Sequence, residues 1–390
     1  MNKKLMALAV AGAIAAPTVA MAQSANIQMG GSLTVLYYLH DPKNSGPAAT
    51  DGKKADILEG SEPEMFIRGE EKLGGGLSAW FACASSFDLW AGGEGSTLCS
   101  RNSGLGFKGG FGNVFLGNWD QPQKLVYNQA RGAFSGTNAL YGGTGTLLFG
   151  SSASGANNEG NPERFYRRQA RTVNYHSPSW GGFNVKGAYS SGTEHTHLGI
   201  SPLNPRLIGL SGEYSSGPLY VGLGYELHQD YNPGGQAVGA GPLLYNGGDD
   251  TNISLVGVWT FGGNIRLSGV ISKSEYEVTN TTTTEIEGFG IYLDWKLGGP
   301  HSVRFQYGAV DSPEGNATAT LQSYRPTSAV ERGATVMGAH YEYAFSKRTA
   351  GLFSVNQIDN DPGANFSQGK SAATLGGKQQ SVGIAVKHRF

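Results

Sequence analysis

Past its N-terminal segment, the chain has no apolar run near the roughly 20 residues that a helix needs to cross a bilayer. If the protein spans a membrane, it must do so as a closed β-barrel, the other structure that satisfies every backbone group in lipid. Leucine-rich helical periodicity is also missing. There is no excess of positive charge: 29 Lys and Arg stand against 30 Asp and Glu, for a formal net charge of −1. That balance excludes the basic footprint of a nucleic-acid partner. The sequence carries no HExxH, no CxxC and no Walker A motif. "GGTGTLLFG" from Gly142 is glycine-rich, but no strand–helix context makes it a phosphate loop, and it reads as flexible loop backbone. Glu194–His197, "EHTH", could ligate a metal but reads as a solvated loop.

Cysteine is scarce, with only Cys83 and Cys99. They flank one turn-rich stretch of a chain that reads as exported, which favours a disulfide over two free thiols. Export is read from the N-terminus. Lys3 and Lys4 precede an apolar run from Leu5 to Ala16, and Ala20-Met21-Ala22 has the small-x-small form of a cleavage site. Residues 1–22 are expected to be a signal peptide and 23–390 the mature barrel. Removing Lys3 and Lys4 takes the formal net charge from −1 to −3.

What the sequence has is glycine, 61 residues, with 18 Tyr and 17 Phe. Seven short turn signals punctuate it: Gly74–Gly76, Gly109–Gly112, Ser177–Gly182, Ser215–Pro218, Phe261–Asn264, Leu297–Pro300 and Phe345–Arg348. On both sides of each lies an alternating segment of about ten residues, the length of a tilted membrane strand. Between these hairpins lie eight further connections, mostly long and polar. The long ones are Asp41–Pro63, Trp119–Glu163, Ser190–Asn204, His228–Asp250, Asp311–Thr327 and Asp359–Gln379. Two shorter ones lie near Leu89–Thr97 and Tyr276–Thr284. Seven turns and eight loops join sixteen antiparallel strands in an all-β chain. Short turns on one rim and long loops on the other are the asymmetry of outer-membrane barrels, with short periplasmic turns and long extracellular loops.

Parity assigns the faces. Leu219, Val221, Leu223 and Tyr225 share one face, opposite Tyr220, Gly222, Gly224 and Glu226. Phe289, Ile291, Leu293, Trp295 and Leu297 oppose Gly288, Gly290, Tyr292, Asp294 and Lys296. The same alternation puts Lys186, Arg266 and Arg304 on the lumenal face, and Arg68 with Phe66 and Glu70. Phe390, at the end of "QSVGIAVKHRF", would close the barrel by bringing the last strand to the first, near Ile27–Leu39, with its ring on the lipid face.

"FIRGEEKLGGGLSAWF", "SGLGFKGGFGNVFLG", "RTVNYHSPSWGGFNVKGAYS" and "VGIAVKHRF" together resemble the general porins of Gram-negative bacteria, in their β-proteobacterial and neisserial branch. The resemblance implies a homotrimer of sixteen-stranded barrels in the outer membrane, passing small hydrophilic solutes and ions without a cofactor. It implies an inward-folded third loop, here Trp119–Glu163, that narrows the pore. It also implies contacts with lipopolysaccharide, and a terminal aromatic strand, ending in Phe390, read by the barrel-assembly machinery.

In such porins loop carboxylates face wall arginines. By position Arg168 matches one of the wall arginines, and Asp120, Glu159 and Glu163 are the few loop carboxylates, with Lys124 and Arg131 between them. Where many relatives have Gly-Arg, this chain has Gly117-Asn118. Arg101 groups by parity with Leu105 and Phe107, which puts it at the outer rim. Arg164 and Arg171 beside Arg168 can equally bind lipopolysaccharide phosphates or loop carboxylates, and lumenal arginines can pair with Glu64 or Glu70. A basic wall facing a weakly acidic loop implies mild anion preference. The alternatives are a substrate-selective porin for an organic acid or phosphate, and a closed structural or adhesive barrel. An enzymatic barrel would need a nucleophile paired with a wall histidine. His340 has lumenal parity, but no nucleophile motif accompanies it.

Overall fold

The computed structural model describes residues 26–43, 54–61, 63–87, 89, 97–132, 144–149, 165–190, 206–231, 248–279, 281–316, 331–364, 366 and 376–390. The expected signal peptide, Glu159, Glu163, Arg164 and Glu194–His197 lie outside the described residues. The strands run in order β1 (Asn26–Lys43), β2 (Ala55–Gly60), β3 (Glu64–Gly74), β4 (Leu77–Ser86), β5 (Ser103–Gly109) and β6 (Gly112–Asp120). Next come β7 (Arg168–His176), β8 (Phe183–Ser190), β9 (Arg206–Ser216), β10 (Leu219–Tyr231), β11 (Gly248–Phe261) and β12 (Ile265–Thr279). The last six are β13 (Thr282–Gly298), β14 (His301–Val310), β15 (Glu314–Gly315), β16 (Ala334–Ala344), β17 (Thr349–Asn360) and β18 (Gly377–Arg389). Between β6 and β7 lie helices α1 (Pro122–Arg131) and α2 (Thr144–Phe149).

Every strand pairs antiparallel with its neighbours, and β18 pairs back onto β1 from Ser32↔Arg389 to Lys43↔Lys378. Phe390 N and O exchange hydrogen bonds of 3.1 Å with Gly31 O and N, just beyond that ladder. A closed barrel leaves no open edge to aggregate. β2 and β3 lie end to end along β1, as β14 and β15 do along β13, so eighteen segments make sixteen wall strands.

Two expected loops are therefore shorter than their composition suggests. Asp41–Pro63 contains β2, and the break between β2 and β3 includes Pro63, which has no N–H to offer a ladder. Asp311–Thr327 contains β15. "GGTGTLLFG", expected as flexible backbone, holds the helical turn α2 over Thr144–Phe149.

All seven short turns stand at one rim, joining β3–β4, β5–β6, β7–β8, β9–β10, β11–β12, β13–β14 and β16–β17. Six of them contain a glycine of positive φ, and the seventh, Phe345–Arg348, has none. In the first, Gly74, Gly75 and Gly76 have φ between +57° and +92°, a region that costs a side chain roughly 1–2 kcal/mol.

The outward face is a continuous apolar belt. Leu223 and Ile291 are each 47% exposed, and Leu105, Leu116, Ile271 and Ile384 more so. An exposed apolar surface of this extent is stable against lipid, not water. The opposite parity carries the polar residues and glycines, as expected. Cys83 on β4 and Cys99, just before β5, are joined by a disulfide across the connection between those strands.

Candidate functional site

The site begins with the turn from β6 into α1. Pro122 occupies the first helical turn, where its missing N–H costs nothing. Asp120 precedes the helix and holds two cations. Its Oδ1 lies 2.7 Å from Lys124 Nζ and 3.2 Å from Arg168 Nη2. Asn102 closes the cluster. Its amide donates to Asp120 Oδ2 at 3.0 Å, and its Oδ1 accepts from Arg168 Nε at 2.7 Å. Asp120, Lys124 and Arg168 are all buried. Burial pulls the Lys124 ammonium below the usual lysine range, against the opposing pull of Asp120. Lys124 Nζ also sits 4.5 Å from the centre of the Tyr166 ring.

The far end of α1 is held by the barrel wall. Arg266 on β12 donates to the carbonyls of Gln129 and Ala130, the latter at 3.2 Å, and Ser268 Oγ donates to Ala130 O at 2.6 Å. A guanidinium on the last carbonyls both satisfies them and opposes the negative end of the helix dipole. Between the two ends, Tyr127 bonds Tyr292 on β13, hydroxyl to hydroxyl at 2.7 Å, and burial pushes the Tyr127 phenol well above its ordinary pKa. Gln123 donates to Ser254 on β11 at 3.2 Å.

The loop can lie this close because the wall beneath it lacks side chains. A Cβ on Gly224 would come 2.9 Å from Gln123 Cα, and one on Gly222 3.0 Å from Val126 Cγ1. Under α2, a Cβ on Gly290 would stand 2.4 Å from Thr144 Cγ2, and one on Gly288 2.6 Å from Leu148 Cδ2. These glycines have ordinary strand conformations; what they supply is room. Replacing Gly224 with valine therefore sets a side chain against helix backbone that cannot turn aside. We expect the folded barrel to survive and the single-channel conductance to change and become noisy. Gly257→Ala on the outward face of β11, with nothing within 4 Å, should leave the conductance as it is.

The described helices pack on β8 to β14 and on β16. They line one side of the lumen and leave the wall from β1 to β5 facing it.

The expected site residues fall into three groups. Asp120, Lys124, Arg168 and Arg266 tether the loop, and Arg131, also buried, ends α1 with its guanidinium 5.4 Å from the Tyr166 ring centre. Lys186 and Arg304 are on the lumenal face but paired. Lys186 bonds Glu213, while Arg304 lies 3.5 Å from Asp294 and 2.9 Å from Glu342. Arg68 alone of the expected residues is exposed on the lumenal face and in no ion pair among the described residues. Its Nε donates to Gln28 Oε1 at 2.9 Å, and its guanidinium lies 5.0 Å from the Phe66 ring centre. Arg101 ends near the long-loop rim, on Glu64 at 2.5 Å, and Lys108 holds Glu70 at 2.6 Å.

Sequence reasoning did not single out Asn102, Tyr127 or Ser268, nor see that the Arg266 it named caps a helix. No local pattern joins residues about 130 positions apart; only lumenal parity pointed at the wall partners.

The family model for Gram-negative porins matches residues 7–364. Outer membrane porin protein 32 of Delftia acidovorans is 26% identical over 398 residues, covering 100% of both chains. Among solved structures, the anion-selective porin from Comamonas acidovorans superposes with a TM-score of 0.73 at 20% identity, over 94% of this chain and 100% of that one. The trimer form of Vibrio cholerae OmpT gives 0.64 at 16% identity, over 94% and 100%.

Proposed function

Because the chain belongs to the Gram-negative porin family, we propose that it is an outer-membrane diffusion channel with a mild preference for anions, working as a trimer. It is a barrel of the outer membrane, and passage through it requires no chemical step. The observation that carries the anion preference is Arg68, an exposed lumenal guanidinium in no ion pair among the described residues. Asp120 adds to it, since one carboxylate stands between two cations and leaves a fixed positive excess at the root of the loop. The Comamonas porin is anion-selective and the OmpT structure is a trimer form, and both support the same reading.

Outer-loop contacts with lipopolysaccharide, export by the N-terminal segment and recognition of the Phe390 strand by the assembly machinery belong to this reading as well. Liposome swelling tests the diffusion claim. Vesicles carrying the folded protein should admit neutral sugars at rates that fall steeply with solute size and do not saturate. Saturation by one organic acid or phosphate would favour a substrate-selective porin instead. No swelling from protein shown to be folded would bring the closed barrel forward.

A further inference from the structure

We propose that the lumenal face of β3 to β6 carries a subsite for small aromatic carboxylates, built from Trp80, Phe115, Trp119 and Arg68. The proposal rests on the diffusion-channel reading above. Four strands supply it in register. Glu70 on β3 stands opposite Trp80, Trp80 opposite Gly106 on β5, and Gly106 opposite Phe115 on β6. Gly106 is what lets the rings meet across the strand between them: a Cβ there would lie 2.3 Å from Phe115 Cβ. The ring centres of Trp80 and Phe115 are 5.2 Å apart, those of Phe115 and Trp119 4.9 Å, and those of Trp80 and Trp119 5.8 Å.

All three rings point inward. Their strand neighbours Phe81, Val114 and Leu116 are the exposed, outward ones. Phe115 is a buried floor, while Trp80 and Trp119 stay partly exposed above it. Three clustered rings of this size are unexpected on the wet face of a barrel, where most positions are polar or glycine. The two described helices make their main contacts with β8 to β14 and β16 and not with β3 to β6, so among the described residues the rings are not their packing surface. Trp80 spends its one donor on Asn113 Oδ1 at 2.7 Å, which fixes the ring, and part of the ring stays exposed.

The charge beside the rings selects the ligand. Arg68 stands opposite Ala82, so its backbone is the diagonal neighbour of Trp80 across the strand pair, at a spacing of about 7–8 Å between such positions, with its guanidinium leaning to Gln28 on β1 and to Phe66. Only its Nε is used among the described residues, which leaves both Nη groups for a carboxylate in the bidentate geometry guanidinium favours. The nearby Glu70 is held by Lys108 and does not compete. A planar ring on the indoles, with a carboxylate on Arg68, uses both features; a neutral sugar uses one, and acetate the other.

Single-channel recording in KCl with added benzoate is the test. Benzoate should lower the conductance saturably, with acetate at equal concentration having little effect and glucose none. Trp80→Leu and Arg68→Gln should each weaken the apparent benzoate affinity by about fivefold, the size of one aromatic contact. Normal KCl steps with benzoate and acetate acting alike, or with glucose acting like benzoate, would overturn the subsite on the unaltered protein. Loss of KCl steps altogether would count against the channel reading, a separate failure.

Discussion

Asp120→Asn will loosen the inward loop more than any other single replacement in the channel. The change keeps the side chain's shape and removes the one carboxylate between Lys124 and Arg168. All three groups are buried, and their mutual arrangement leaves water little access. Removing one partner of a buried ion pair strands the others, at a cost of about 3–5 kcal/mol. The asparagine also takes a negative charge from the start of α1, where the helix dipole favours one. Because the cluster sits where β6 turns into α1, the loss should appear as a mobile loop, with flickering conductance and easier proteolysis of the loop, before the barrel itself melts. Adding Lys124→Met should restore part of the stability, since one stranded charge goes with it. If Asp120→Asn matched the parent in noise and melting temperature, the cluster would not be the tether.

Arg68→Glu will turn the preference from anions toward cations. The guanidinium is exposed to the lumen, so the replacement alters the field there without breaking an ion pair among the described residues. A unit charge about 4 Å from a passing ion is worth on the order of 1 kcal/mol even in water, and the exchange changes the wall by two units. At least about tenfold in the anion-to-cation permeability ratio should follow even where distance and screening weaken the effect, read as a shift of reversal potential in a salt gradient. It should shrink at high salt, because an exposed charge is screened. Arg168→Glu puts a second carboxylate beside Asp120 inside a buried cluster. Its main effect should therefore be on loop stability, with any change of selectivity coming through a displaced loop. A reversal potential unmoved by Arg68→Glu would take Arg68 out of the ion path.

Much of the wall was legible in advance because short-range rules govern it. Glycine-rich turns need positive φ, and alternation along ten residues assigns a face, so the seven turns, the lumenal parity of Tyr292 and Arg304 and the inward glycines Gly222 and Gly290 could be read directly. Composition misled where a strand is polar. Ala55–Gly60 and Glu314–Gly315 lie in stretches that read as loop, yet each extends a wall strand past an irregularity. The charged residues were placed on the right face without their partners. Whether an inward arginine is open, like Arg68, or committed, like Arg168, Arg266 and Arg304, depends on neighbours brought from distant strands. No spacing along the chain encodes that. Trp80 and Phe115 show the same limit: nothing along the chain sets them apart from other strand aromatics, and the register through Gly106 makes them a pair.

Planar-bilayer recording of the detergent-folded protein under a KCl gradient separates an open diffusion channel from a closed barrel. The account predicts discrete, large conductance steps, closing in thirds for a trimer, and a reversal potential of the sign set by faster chloride passage. Stepless membranes from protein shown to be folded would contradict the diffusion channel, and steps with the opposite sign would contradict the assignment of Arg68 and the Asp120 cluster as its selectivity charges.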